Sequence, residues 1–138
     1  MKQITYYRNQ DLLEAARRAV SKAYRRGETI NIRQLVDAAL SHSPKMHYVD
    51  FDTASDKLHA IRRHGLDAIV NTAEGRAKWA ELGQQVDEIM AARRRLTFAQ
   101  ALSFVLHFRR PSRFYITRNA AYKIIAGSVR KGFLTVRG

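Results

Sequence analysis

The sequence predicts a mainly α, single-domain protein of about six helices, and three observations predict it. Apolar residues recur at three- and four-residue spacing through most of the chain. Capping residues (Asn31, Asp50, Thr72, Thr97, Thr117) stand just ahead of these periodic runs. The only two prolines, Pro44 and Pro111, sit in matching links between helices.

The elements follow in order. Residues 9–26 read as a helix capped by Asn9, with Leu12, Leu13, Ala16, Val20, Ala23 and Tyr24 on its apolar side and Gly27 ending it. Its acids lie early and its cations late, the order favoured by the helix dipole, so its basic run is weak evidence of a ligand site. Asn31 caps a helix over 32–41, and a proline-led link, 43–49, ends in Tyr48-Val49, which suits an extended segment. Asp50 starts a helix that runs to Gly65. The apolar stretch 66–71 reads as buried. A long helix over 73–94 follows, weakened by Gly75 and Gly83 at about 1 kcal/mol each relative to alanine. Thr97 caps a helix over 98–108, a second link covers 110–116, and Thr117 caps the last helix, stopped by Gly132. Phe133-Leu134-Thr135-Val136 suits a short strand beside Ile4-Thr5-Tyr6-Tyr7, so minor short strands are expected.

The links anchor an internal comparison. Laid on each other at a shift of 67, Pro44 to Gly65 and Pro111 to Gly132 share five identities in 22 positions: proline, Tyr48 with Tyr115, Ala54 with Ala121, Arg63 with Arg130, and glycine. One or two matches are expected by chance at ordinary residue frequencies, roughly. At a shift of 66 the preceding helices correspond, Gln34 with Gln100 and Leu40 with Leu106. The expectation is a repeat, residues 31–65 and 97–132, of two helix, extended link and helix units. They would be related by a pseudo-twofold across which Tyr48-Val49 pairs with Tyr115-Ile116.

Charge points to a partner. The net charge is +13, yet residues 1–88 hold 14 Lys/Arg against 12 Asp/Glu, while residues 89–138 hold 11 Lys/Arg and no acid. Solvated faces usually mix both signs, so fifty residues without a carboxylate imply an anionic partner. The second copy carries Thr117, Asn119 and Lys123 where the first has Asp50, Asp52 and Asp56. The expected partner is nucleic acid, DNA rather than RNA, held mostly through phosphates. An acidic protein partner is the alternative, and a homodimer is compatible with both.

The candidate contacts are Arg93, Arg94, Arg95, Arg109, Arg110, Arg113, Arg118, Asn119, Tyr122, Lys123, Arg130 and Lys131. Arg118, Asn119, Tyr122 and Lys123 open the last helix, an arrangement that resembles a helix-turn-helix reader, although the link is about twice the usual 3–4-residue turn. Phe114, Tyr115 and Tyr122 offer faces for unpaired bases, with core packing the simpler reading of Phe114 and Tyr115.

Catalytic chemistry finds little footing. There is no cysteine, no glycine-rich phosphate loop and no histidine pair at metal-binding spacing. Asp50 and Asp52 near His47 are explained more simply by capping. The expectation is therefore a protein that is not an enzyme and needs no cofactor or metal. With no signal-like or membrane-length apolar run, a cytoplasmic location is expected.

Overall fold

The computed structural model describes residues 2–134 and is mainly helical, with seven helices and no strand among the described residues. In order these are α1 (Lys2–Arg25), α2 (Ile32–Leu40), α3 (Phe51–His64), α4 (Leu66–Ile69), α5 (Ala73–Ala92), α6 (Phe98–Phe108) and α7 (Arg118–Arg130).

Local chemistry sets the boundaries. Asn31 and Thr97 each accept a hydrogen bond from the backbone N–H three residues on, and Gln34 and Gln100 accept one back from the cap's own N–H. Both are complete capping boxes. Asp50, Thr72 and Thr117 cap α3, α5 and α7 by accepting from the backbone N–H groups of Thr53, Gly75 and Ala120. The hydrogen bond from the Thr53 backbone holds the Asp50 carboxyl below the ordinary carboxylate range. Gly65 and Gly132 end α3 and α7 at φ of 89° and 78°, a region open mainly to glycine.

Helix α5 is unbroken through Gly75 and Gly83. At Gly75 a Cβ would stand 2.7 Å from both the Thr72 hydroxyl and the Val70 side chain, so the close approach of the chain before α5 requires glycine there.

Several expectations are corrected. Helix α1 begins at Lys2 rather than at 9, so Ile4-Thr5-Tyr6-Tyr7 is helical and Asn9 lies inside the helix. A strand there would need a partner, and Phe133 and Leu134 instead donate their backbone N–H groups to the Ser128 carbonyl as part of the α7 terminus. Thr135 and Val136 lie outside the described residues. Tyr48-Val49 and Tyr115-Ile116 form no strand. The stretch 66–71 forms α4, of which no residue is buried; only Val70 beyond it is.

The helices group into two compact units. One comprises α3, α4, α5 and α6 (Lys45–Pro111), and the other α1, α2 and α7 (Lys2–Pro44 with the chain from Ser112). The core of the first is built from Ala54 and Leu58 of α3, Trp79, Leu82, Val86 and Ile89 of α5, and Ala101, Leu102 and Val105 of α6. In the second, α1 buries Leu12, Leu13, Ala16, Val20 and Ala23, α2 buries Leu35, Val36 and Ala39, and α7 buries Ala121 and Ile125. Helix α7 packs on α2 and on α1.

Several buried positions of the two units correspond, though not all: Leu12 and Ala15 are buried where Lys78 and Glu81 are not. At a shift of 66, Leu13, Ala16, Val20 and Ala23 of α1 match Trp79, Leu82, Val86 and Ile89 of α5, and Leu35, Val36 and Ala39 match Ala101, Leu102 and Val105; all are buried. Pro44, His47 and Val49 are buried in the first link, as Pro111, Phe114 and Ile116 are in the second. The third helix of each sequence, α3 after α2 and α7 after α6, belongs to the other unit. The two helices of the expected helix-turn-helix-like arrangement, α6 and α7, thus belong to different units.

His47 is the one buried histidine among the described residues. Its Nε2 lies 2.6 Å from the Gln85 Oε1, and the Gln85 Nε2 donates to the Arg110 carbonyl at 3.0 Å. Because that carbonyl can only accept, the Gln85 amide is oriented and His47 must carry its proton on Nε2. Desolvation holds the imidazole below its ordinary value of 6.5, with nearby Lys78 acting the same way and the Gln85 bond and Glu81 opposing. A lowered folded value means that the unfolded chain binds the proton more readily. Stability from the neutral ring is therefore full above pH 6.5 and lost as pH falls below it. Thermal melts between pH 8 and 5 should show this decline, roughly. His47→Phe is expected to cost about 1–3 kcal/mol at neutral pH through the orphaned Gln85 carbonyl. It should also flatten the acid-side decline, and an unchanged pH profile in that variant would assign the decline elsewhere.

Candidate nucleic-acid interface

The fold redistributes the positive charge that the sequence places in its last third. Residues 45–111 hold 11 Lys/Arg against 8 Asp/Glu, whereas residues 2–44 and 112–138 hold 14 against 4, a net of +10. Most of the imbalance thus belongs to the α1, α2 and α7 unit. There α7 joins the cationic second half of α1.

The twelve candidate residues divide between the units. Arg93, Arg94 and Arg95 occupy the exposed turn between α5 and α6, and Arg109 and Arg110 lie just past the other end of α6. An 11-residue helix is about 16 Å long, so these two groups are not brought together. Arg93 lies over the Phe104 ring at 5.1 Å. Arg113, Arg118, Asn119, Tyr122, Lys123, Arg130 and Lys131 belong to the other unit.

On α7, Asn119, Tyr122, Lys123 and Arg130 fall at spacings that place them on one side, and all four are exposed. Arg130 and Lys131 at its end satisfy the dipole and also extend the cationic stripe. Arg118 pairs with Asp37 of α2 at 2.9 Å. Both side chains are more than half exposed, so the pair is worth at most about 1 kcal/mol and gives way to a phosphate at small cost. Arg113 lies over the Tyr115 ring at 4.6 Å.

Other cations of this unit have no acid beside them. Among the described residues, Lys22, Arg25, Arg26, Arg33, Lys123, Arg130 and Lys131 have no carboxylate within ion-pair distance. Four of these seven lie on α1, its C-terminal turn and α2, where the sequence alone points to helix-dipole complementarity rather than to ligand contacts. The signal that elevates them is spatial and so is absent from the sequence: α7 packs on α1 and α2, across roughly a hundred residues of chain.

Aromatic exposure follows the same division. Phe114 is buried and Tyr115 half-buried, so of the three aromatics offered for stacking only Tyr122 presents an open ring, 40% exposed. Tyr24, expected on the apolar side of α1, is 66% exposed. Tyr24 and Tyr122 both line an open groove of about 1120 Å³, together with the loop 27–31 and the start of α2.

Compared with known proteins, the chain matches no family model, no curated protein and no solved structure. No helix among the described residues is long and apolar enough to cross a membrane.

Proposed function

We propose that this protein binds nucleic acid through the cationic surface of its α1, α2 and α7 unit, with phosphate contacts supplying most of the affinity. The observation that carries this reading is the net charge of +10 on that unit, with seven cations unopposed by any neighbouring carboxylate among the described residues. Such a field attracts a polyanion, and each phosphate neutralised releases counterions. The α5–α6 turn and the end of α6 belong to a nearly balanced unit and contribute little to binding.

Base-specific reading is not part of the proposal. Arg118 and Asn119 are of the types that bond base edges, but α7 is packed along α2 and α1, and Arg118 is already turned toward Asp37. A salt titration of binding to single-stranded DNA, duplex DNA and structured RNA tests the reading. Affinity should fall steeply and linearly on a log–log plot, with a slope of several, roughly 0.7–0.9 per phosphate neutralised. Absence of binding to all three probes at low salt overturns it, and leaves an acidic protein as the partner that such a surface fits.

A further inference from the structure

We infer that the groove lined by Tyr24 and Tyr122 takes unpaired bases, so that the nucleic acid recognised is single-stranded; this rests on the phosphate-binding reading above and goes beyond it. The groove lies wholly within the α1, α2 and α7 unit, between the last turns of α1, the loop after Gly27 and the first turn of α2. Tyr122 reaches it from α7. At about 1120 Å³ it has room for more than one nucleotide base, since pockets for small organic ligands run from roughly 300 to 1,000 Å³.

Its chemistry is mixed in a particular way. Two tyrosine rings stand exposed on its wall, and Ile30 and Ile32 add apolar surface. Arg33 supplies a planar cation with no carboxylate beside it, suited both to stacking and to phosphate. Glu28 is the single carboxylate on the wall, and it repels a phosphate that enters the groove. Bases therefore face inward, where Glu28 can accept from their amino groups or, for thymine, the ring N3–H, and the phosphates track outside along the unpaired cations of α1 and α7.

A duplex cannot use this arrangement. Its bases are stacked within the helix, and only a strand with free base faces can lay them on protruding rings. Aromatic stacking of this kind tolerates every base, which suits a surface with few base-edge readers.

The test compares the full chain with Tyr24→Ala, Tyr122→Ala and the double variant, using a fluorescent oligothymidylate and a duplex of equal length at one low salt concentration. The double variant should bind the single strand at least about tenfold more weakly while its duplex affinity stays within about twofold. Tyr24→Trp with Tyr122→Trp should retain single-strand binding. Tyr24 is 66% exposed but Tyr122 only 40%, so Tyr122→Ala gives up some packing, and circular dichroism and thermal melts check that the variants remain folded. Equal losses on both probes, or wild-type affinity for the single strand in the double variant, overturn the groove assignment while leaving the phosphate reading intact. Failure of the unsubstituted chain to bind either probe overturns both.

Discussion

Changing Lys123, Arg130 and Lys131 together to glutamate is expected to weaken nucleic-acid binding by two orders of magnitude or more, roughly, at low salt. The same change at Arg93, Arg94 and Arg95 is expected to cost much less. The first set lies in the unit with a net charge of +10 and has no neighbouring acid among the described residues. Reversal there both removes cations that would meet phosphate and plants repulsive charge inside the field. The second set occupies a turn in the unit with 11 cations against 8 acids, where one guanidinium is engaged with the Phe104 ring. The salt slope gives a second readout, falling by about one for each phosphate that is no longer neutralised. Equal weakening in the two triple variants would show that charge acts through the whole molecule rather than through α7. All six side chains are exposed, so folding should survive in both.

Cutting the chain between Gly65 and Leu66 is expected to leave two fragments that are largely unfolded alone and helical when mixed. The α1, α2 and α7 unit draws α1 and α2 from the first fragment and α7 from the second. The other unit draws α3 from the first fragment and α4, α5 and α6 from the second. Each fragment therefore lacks a helix that packs in each unit, α7 on α2 and α1 in one and α3 on α6 in the other. Losing α7 takes Ile125 from one core and losing α3 takes Leu58 from the other, at about 1.5–3 kcal/mol each before the facing side chains that they uncover, a large part of what so small a fold holds in reserve. Far-ultraviolet circular dichroism of each fragment and of the equimolar mixture reads this directly. Two fragments that each show native helix content, with no gain on mixing, would contradict the exchange of α3 and α7 between the units.

The sequence carried some of this and not the rest, for identifiable reasons. Helix starts were legible because capping is local: Asn31, Asp50, Thr72, Thr97 and Thr117 each bond a backbone N–H within three residues. The correspondence of the two proline links was legible in Tyr48 with Tyr115 and Gly65 with Gly132, and the burial of the links follows it position by position. What was hidden is which helix packs on which. Periodicity assigns an apolar face to α7 but does not name the helix that it packs on. The placement of α7 on α2 then carried its cations to those of α1. Tyr24 was misplaced for a related reason, since its spacing fits the apolar stripe of α1 while its position, three residues before Gly27, puts it where the groove opens. The first turns of α1 were missed because Ile4, Thr5, Tyr6 and Tyr7 favour strands intrinsically, a preference that yields where no strand edge is offered.

Chemical footprinting of lysines and arginines, in the presence and absence of a saturating oligonucleotide, tests most directly that the α1, α2 and α7 unit is the binding surface. Protection is predicted at Arg25, Arg26, Arg33, Lys123, Arg130 and Lys131, with Arg93, Arg94 and Arg95 remaining reactive. Protection confined to Arg93, Arg94, Arg95, Arg109 and Arg110 would contradict it.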